Sequence, residues 1–332
     1  MPRSAHHRKA YIAGTGAYLP SRILTNAELE RLVDTSDEWI TSRTGIKERR
    51  IAEEDEFSSD MGSHAAMEAL REAKLKPSDI DLIIVATCTP DTIFPSTACH
   101  IQQKIEAKNA VAFDIQAACS GFLFGLITAN QYIASGLSKH ALVIGTEKLS
   151  SIVNWTDRNT CVLFGDGAGA VVLGASETHR GLVAADLGSD GEQTEILSLP
   201  AGGCRLPATV ITLEKNLHSI QMQGKEVYRH AVNRMNSSVS KCLEKSGIDS
   251  SQITCLIPHQ ANYRIIESVA SRLKLPMSSV YMNLHRYGNM SAACIPVALH
   301  EALQEGRVQQ GDLIMMVAFG GGLTWASTII EL

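Results

Sequence analysis

The sequence predicts an α/β protein made of two similar halves. Three observations carry that reading. Strand-like and helix-like segments alternate along all 332 residues. A helix-to-strand unit recurs at an offset of 170 residues. The composition, 45% hydrophobic and 20% charged, is that of an ordinary globular chain. At ~150 residues per domain, this length holds two domains or one duplicated domain. A chain of this size also buries enough surface to fold without a disulfide or metal staple.

The elements follow in order. Thr25-Asn26-Ala27-Glu28 and Thr35-Ser36-Asp37-Glu38 both fit the Ser/Thr-x-x-Glu capping box, so a short helix is expected to start at each. Residues 61–73 form an amphipathic helix, Leu82–Ala86 a buried strand and 110–114 a second strand. A helix is expected from Ser120 to about Ser135, then strands over 141–146 and 168–173. Val227, Ala231, Met235, Val239 and Leu243 recur every four residues, a core-facing helix stripe. Strands are expected at 255–257, 313–317 and 324–330, with helices over 262–273 and 291–305.

The repeat pairs Gly136, at a helix end before Leu142-Val143-Ile144, with Gly306 before Leu313-Ile314-Met315, 170 residues on. Leu70-Arg71-Glu72 answers Leu243-Glu244-Lys245 at 173. Phe164-Gly165-Asp166-Gly167 resembles Phe319-Gly320-Gly321-Gly322 at a shorter spacing. The division expected is a tail over 1–9, a first half over 10–178 and a second over 179–332, packed face to face.

Composition excludes several function classes. A net charge of −5 disfavours a nucleic-acid binder. The longest apolar runs are strand-sized, too short for membrane insertion. The basic N-terminus is followed by no signal-peptide core, and eight scattered cysteines include no Cys-x-x-Cys pair. These features predict a cytoplasmic protein with free thiols and no structural metal. Gly14-x-Gly16 and Gly165-x-Gly167-x-Gly169 lack the Gly-x-Gly-x-x-Gly spacing of a dinucleotide loop. Those glycines serve turns and close layer packing instead.

One thiol stands apart. Cys119, in Ala117-Ala118-Cys119-Ser120-Gly121, sits at a helix start among small neighbours. There the dipole's positive end is expected to favour the thiolate and lower the pKa. The 170 offset pairs Cys119 with Asn289 in Gly288-Asn289-Met290-Ser291. His259, in Pro258-His259-Gln260-Ala261-Asn262, lies between a strand end and a helix start. Local sequence leaves it two roles, acid–base group or helix cap. His6, His7, His140 and His179 read as surface or tail residues, and His300 as a structural one. A Cys/His pair is sufficient for covalent acyl transfer, and Asn289 adds a neutral donor.

Asp34-Thr35-Ser36-Asp37-Glu38-Trp39-Ile40, Arg43-Thr44-Gly45-Ile46, Phe164-Gly165-Asp166-Gly167-Ala168-Gly169, Pro258-His259-Gln260-Ala261-Asn262, Gly288-Asn289 and Phe319-Gly320-Gly321-Gly322 occur in this order. As an ordered set over residues 10–331 they resemble β-ketoacyl-acyl-carrier-protein synthase III, the condensing enzyme that initiates bacterial fatty-acid synthesis. The resemblance implies a thiolase-like, duplicated five-layered α/β/α/β/α fold and a homodimer. It implies an acyltransferase with Cys119, His259 and Asn289 as its triad, and an oxyanion hole from the N–H groups of Cys119 and Gly321. The implied partners are an acyl-CoA primer and malonyl-acyl-carrier protein, with no metal or redox cofactor. Thr35, Trp39, Arg43, Arg158, Gly224 and Asn262 match the coenzyme A contacts. Lys225 stands where well-studied members carry asparagine, which leaves its contact open. Phe94 matches the aromatic that closes the acyl pocket across the dimer. Arg229, Arg264 and Arg272 fall on helices that match the carrier-protein docking face.

Three other readings share parts of this pattern. A thiolase needs a second cysteine near the C-terminus, where this chain has Phe319-Gly320-Gly321-Gly322. A type III polyketide synthase shares Cys/His/Asn but extends from CoA thioesters. A non-catalytic acyl-CoA-binding protein would keep only the fold.

Overall fold

The computed structural model describes residues 9–176 and 181–332. The first half runs β1 (Lys9–Tyr18), β2 (Arg22–Thr25), α1 (Asn26–Leu29), α2 (Asp37–Thr44), β3 (Glu48–Ile51) and α3 (Ser58–Ala73). It continues with β4 (Leu82–Ala86), α4 (Thr97–Lys104), β5 (Val111–Ile115), α5 (Gly121–Ala134), β6 (His140–Lys148) and β7 (Asp166–Ser176). The second runs β8 (Gly181–Ser189), β9 (Leu197–Ser198), α6 (Val210–Glu214), β10 (Gln221–Met222) and α7 (Gly224–Ser246). It ends with β11 (Cys255–Pro258), α8 (Tyr263–Arg272), α9 (Leu284–Tyr287), α10 (Cys294–Gln304), β12 (Leu313–Gly320) and β13 (Thr324–Glu331). Lys9 opens β1, so the described chain enters the fold one residue earlier than the expected tail allows. The expected boundary at 178/179, and His6, His7 and His179, lie outside the described residues.

Two sheets form with matching order. The first is β1-β7-β6-β4-β5 and the second, read the same way, is β8-β13-β12-β11. The pair β4–β6 and its counterpart β11–β12 are parallel, and the pairs on the β1 and β8 side are antiparallel; β4–β5 is parallel too. The fifth strand of the second sheet is reduced to a single bridge between Leu256 and Val280.

Strand side chains alternate between two buried faces. Leu82, Ile84 and Val143, with Ile314 and Met316, face a central layer made by α5 and α10. Ile83, Val85 and Ile144 turn outward onto α3 and α4, and Met315 and Val317 onto α7 and α8. Burial on both faces is why these strands read as unbroken apolar runs. The order of layers is α/β/α/β/α, the architecture the family resemblance implied.

The repeat is in register at 173, not 170. The left-handed C-caps Lys74 and Gly247, the starts of β4 and β11, and the starts of β6 and β12 all lie 173 residues apart. So do the two 3-10 turns Ala118–Ser120 and Ser291–Ala293, which enter α5 and α10. Only Gly136 and Gly306 keep 170, because α10 has 11 residues against 14 in α5 and the loop after it is correspondingly longer. Cys119 therefore corresponds to Ala292, and Asn289 lies on the approach to that turn. The Phe164 and Phe319 motifs are not equivalent either: Phe164 precedes β7, whereas Phe319 belongs to β12.

The layers meet through glycines. A Cβ on Gly145 of β6 would lie 2.3 Å from the Ala292 carbonyl oxygen, and one on Gly169 of β7 2.6 Å from the Val297 nitrogen. Backbone cannot yield as a side-chain tip can. Gly145→Ala is expected to push the α10 entry turn off the first sheet, at about 1–3 kcal/mol. A melting temperature several degrees below wild type checks it, and an unchanged one would contradict the close approach.

Candidate active site

The chain leaves β5 at Ile115 and must turn sharply into α5. Ala118 takes φ +47°, a left-handed conformation costly for a residue with a Cβ, and Cys119 follows in a 3-10 turn. The β12–β13 hairpin holds this turn. Thr324 Oγ1 donates to the Ala117 carbonyl at 2.8 Å and Ser120 Oγ donates to the Thr324 carbonyl at 3.2 Å. A Cβ on Gly320 would lie 2.6 Å from the Cys119 nitrogen, so only glycine lets the hairpin press this close. Cys119 and Gly321 line one cavity of about 1060 Å³, with Cys88, Leu149, Phe164 and Ser291 also on its wall.

Burial overrides the helix dipole at this thiol. The Cys119 pKa is pushed up to about 12, chiefly by loss of hydration and further by the Glu147 carboxylate. The expectation of a lowered pKa is thereby corrected for the unliganded protein.

His259 follows β11, its N–H donating to the Val317 carbonyl at 2.8 Å. The imidazole is 3% exposed and its Nδ1 has no hydrogen-bond partner. Burial lowers its pKa to about 3, so the ring is neutral near pH 7 and carries a single N–H. The helix cap is supplied instead by Asn262, whose side chain accepts from the Arg264 N–H at 2.9 Å.

Asn289 is held by its own backbone, its N–H donating to Leu163 and its carbonyl accepting from Gly165. Its Oδ1 accepts from the Ser291 N–H at 2.8 Å, which leaves Nδ2 as the outward donor. Cys294 Sγ lies 3.8 Å from both Asn289 Oδ1 and the Gln260 carbonyl, and is electrostatically coupled to Cys119. Three separate loops thus converge, although the cavity wall itself is formed by Cys119 and not by His259 or Asn289.

The other expected residues fall into two groups. Two guanidinium groups lie over the Trp39 ring, Arg43 at 4.9 Å and Arg158 at 4.5 Å from the ring centroid. Arg158 also pairs with Asp34 at 3.4 Å. Asn262 Nδ2 donates to the Arg43 carbonyl at 2.9 Å, tying α8 to the end of α2. Ser36, not Thr35, caps α2, accepting from the Trp39 N–H. That leaves the Thr35 hydroxyl buried without a partner. Gly224, Lys225, Arg229, Arg264 and Arg272 are exposed on α7 and α8. Arg229 pairs with Glu226, Arg264 reaches the Ser42 carbonyl, and Arg272 Nε donates to Ser240. Phe94 is 83% exposed on the loop after β4.

Among the described residues no group of three or more His, Cys, Asp or Glu has metal-binding geometry. No helix of the described chain is long and apolar enough to cross a membrane.

Known proteins place this geometry. The family model of 3-oxoacyl-[acyl-carrier-protein] synthase III matches residues 113–191, and the model of its C-terminal part matches 243–332. The β-ketoacyl-[acyl-carrier-protein] synthase III of Caldanaerobacter subterraneus is 55% identical over 97% of both chains. The chain belongs to the 3-oxoacyl-[acyl-carrier-protein] synthase III family. The solved structure of the Aquifex aeolicus synthase III superposes with a TM-score of 0.90, at 50% identity, over 98% of this chain and 100% of that one. The priming β-ketosynthase of the R1128 polyketide pathway superposes at 0.91 with 35% identity, over 98% of this chain and 97% of that one. Membership bears out the resemblance, the fold and the acyltransferase class expected from sequence.

Sequence reasoning passed over two buried charged residues. Arg49 donates to the Leu24 and Val162 carbonyls and to Asn26 Oδ1, with no carboxylate partner among the described residues. Its Cβ packs against Gly165 and Gly288, so it braces the two segments that carry Asn289. Glu147 of β6 accepts from Thr89 Oγ1 at 2.8 Å, from the Cys88 N–H at 3.0 Å and from Thr87 Oγ1 at 3.3 Å. The available signal was an acidic residue continuing a fully apolar strand.

Burial raises the Glu147 pKa from 4.5 to about 7. Below about pH 4.5 the folded and unfolded chains are both protonated there. Between that and about pH 7 only the folded chain holds the proton, so this group stabilises as pH falls through the window and costs stability above it. Glu147→Gln is expected to gain on wild type as pH rises, by on the order of 3 kcal/mol at most. Urea midpoints at acid and alkaline pH check it, and a pH-independent difference would contradict it. The opposite trend set by His259 is common to both proteins and cancels.

Proposed function

We propose that this protein starts fatty-acid chains by moving a short acyl group, of acetyl size, from coenzyme A to Cys119 and then onto malonyl-acyl-carrier protein. The observation that carries the reading is the cavity lined together by Cys119 and Gly321, in a chain of this family. The Cys119 sulfur attacks the thioester carbonyl, and the N–H groups of Cys119 and Gly321 receive the oxyanion. Neither N–H donates within the turns and loops around it. One such donor is typically worth ~3 kcal/mol. Coenzyme A then leaves an acyl-enzyme.

Malonyl-acyl-carrier protein binds next and loses carbon dioxide. The neutral His259 imidazole and Asn289 Nδ2 donate to the thioester oxygen as enolate charge develops. The enolate carbon attacks acyl-Cys119 and releases 3-oxoacyl-acyl-carrier protein. Both thioesters are substrates, and the chain's own groups supply the remaining chemistry. A thiolase would need a second cysteine, which the Phe319-Gly320-Gly321-Gly322 hairpin lacks.

The nucleotide of coenzyme A fits the Trp39, Arg43 and Arg158 stack, where an adenine would displace one guanidinium and its phosphates would take up the charge. The unpartnered Thr35 hydroxyl lies on the same α2 approach, and Asn262 borders it through the Arg43 carbonyl. The exposed arginines Arg229, Arg264 and Arg272 suit an acidic carrier protein. The exposed edge of β5, with Val111 61% exposed, and Phe94 beside it suit pairing with a second copy in the cytoplasm. In that dimer Phe94 would close the partner's acyl pocket.

Two experiments test the scheme. Incubation with acetyl-CoA should add one acetyl group to the peptide containing Cys119, as read by mass spectrometry. An adduct persisting in Cys119→Ser on Cys88, the other thiol on the cavity wall, would sink the assignment. His259→Ala and Asn289→Ala should slow malonyl decarboxylation by orders of magnitude, at ~1.4 kcal/mol per tenfold, with a much smaller loss of acylation. Equal losses in both half-reactions would refute that division of labour.

A further inference from the structure

The proposed acyl transfer asks one backbone N–H to stand at a fixed point, yet that N–H belongs to a run of three glycines. Gly320-Gly321-Gly322 leads from β12 toward β13, with Gly321 partly exposed and Gly322 exposed. Glycine has the widest backbone freedom of any residue, so this turn does not fix itself. One side of it is seated on the Cys119 turn through Thr324 and Ser120. The other side is seated on Asp190. The Asp190 N–H donates to the Leu323 carbonyl and the Leu323 N–H to the Asp190 carbonyl, each at 2.8 Å. Asp190 Oδ1 also accepts from the Glu192 N–H at 3.2 Å, capping the segment 191–196 that leads to Leu197. Leu197 in turn presses on the glycines: a Cβ on Gly321 would lie 2.9 Å from its carbonyl oxygen. Asp190 therefore anchors both the hairpin and the segment packed against it.

Asp190 is itself held from outside the site. Arg234 of α7 donates through Nη2 to Asp190 Oδ2 at 2.8 Å, and its guanidinium lies 4.5 Å from the centroid of the Trp325 ring. Trp325 is a rigid support. It is buried on β13, and its ring lies so close to β8 that a Cβ on Gly188 would meet it at 2.3 Å. Arg234 thus has two anchors, the end of β8 through Asp190 and β13 through Trp325. Neither Arg234 nor Asp190 is on the cavity wall, whereas Leu197, Gly321 and Thr324 are.

We propose that the Arg234–Asp190 pair is a positioning element for acyl transfer, fixing the Gly321 N–H in the oxyanion hole without touching substrate. The inference rests on Cys119 being acylated and on Gly321 receiving the oxyanion. With side chains 39% and 20% exposed, the pair is too well hydrated to add much to folding stability. Rate is far more sensitive, since misplacing a reacting geometry by an ångström can cost about 100-fold. The enolate donors are held by other contacts: His259 by the Val317 carbonyl, Asn289 by Leu163 and Gly165. Among the described residues none of these hydrogen-bonds to Arg234 or Asp190. The pair therefore acts on one half-reaction. A second ion pair on the same joint supplies the comparison. Lys245 of α7 meets Asp186 of β8 at 2.7 Å, but Asp186 faces Ser327, farther along the strand from the glycine turn.

Two half-reactions measured on the same proteins test the assignment: single-turnover acetylation by acetyl-CoA, and decarboxylation of malonyl-acyl-carrier protein without acetyl-CoA. Arg234→Met keeps an apolar stem over Trp325 and removes the charge and donors. It should acetylate about 10-fold more slowly than wild type at saturating acetyl-CoA, with its half-saturating concentration and its decarboxylation rate little changed. Asp190→Asn should show the same split, and the double variant should be no slower than the slower single one, because both remove one interaction. Arg234→Lys should recover part of the rate. Lys245→Met should acetylate like wild type. Wild-type acetylation in Arg234→Met would overturn the proposal. So would equal losses in both half-reactions, or an equal loss in Lys245→Met, since the pair would then be only a structural joint. If Arg234→Met does not fold, Asp190→Asn and Arg234→Lys decide by the same split. A wild-type protein that takes no acetyl group on Cys119 would instead overturn the acyl-transfer reading beneath the proposal.

Discussion

Everything at the site depends on two helix-entry turns meeting at the centre of the molecule. Ala118–Ser120 and Ser291–Ala293 occupy equivalent places in the two halves, and both bend through a left-handed residue that carries a side chain. Such strain persists only where surrounding packing imposes it. Here the packing is backbone on backbone: Gly145 against the Ala292 carbonyl on one side, Gly320 against the Cys119 nitrogen on the other. Each turn is seated on glycine of a strand, so neither can relax without moving a sheet.

The same closeness sets the electrostatics. α5 and α10 lie between two sheets, and their entries are as dry as the core around them. Dehydration penalises every charge there, raising Cys119, Cys88 and Glu147 and lowering His259. The result is a set of neutral groups around one carboxylate. A resting site of this kind is unreactive toward solvent and acquires charge only as substrate is transformed, where fixed donors meet it without reorganisation.

Charge is handled differently at the rim. Arg43 and Arg158 both lie over the Trp39 ring in partly exposed positions, where the guanidinium groups keep much of their hydration. A planar base can replace one of them at modest cost, because stacking is exchanged for stacking. On the proposed function, binding and chemistry would be separated by dielectric environment: ionic and stacked around Trp39, neutral and hydrogen-bonded around Cys119.

The sequence by itself determined that apolar strands lie between helices in two similar halves, since strands buried on both faces must be continuously apolar and their helices must carry stripes, as in Leu82–Ala86 and from Ala231 to Val239; the five-layered order was implied by the family resemblance. It also drew attention to Cys119 and His259, because a cysteine among small residues and a histidine at a strand end are local patterns, whereas Asn289 came from a pairing the fold does not keep and from the family resemblance. It misplaced the register, pairing Cys119 with Asn289, because helix α10 is shorter than α5 and a compensating loop hides the difference. It named Thr35 as a cap where Ser36 serves, since two adjacent hydroxyls are equivalent until the backbone chooses one. Only the tertiary structure decided the protonation of the site. The dipole argument for Cys119 is local, but dehydration and the nearness of Glu147 and Ser291 come from residues 28 and 172 positions away, and no local pattern records a distance in space.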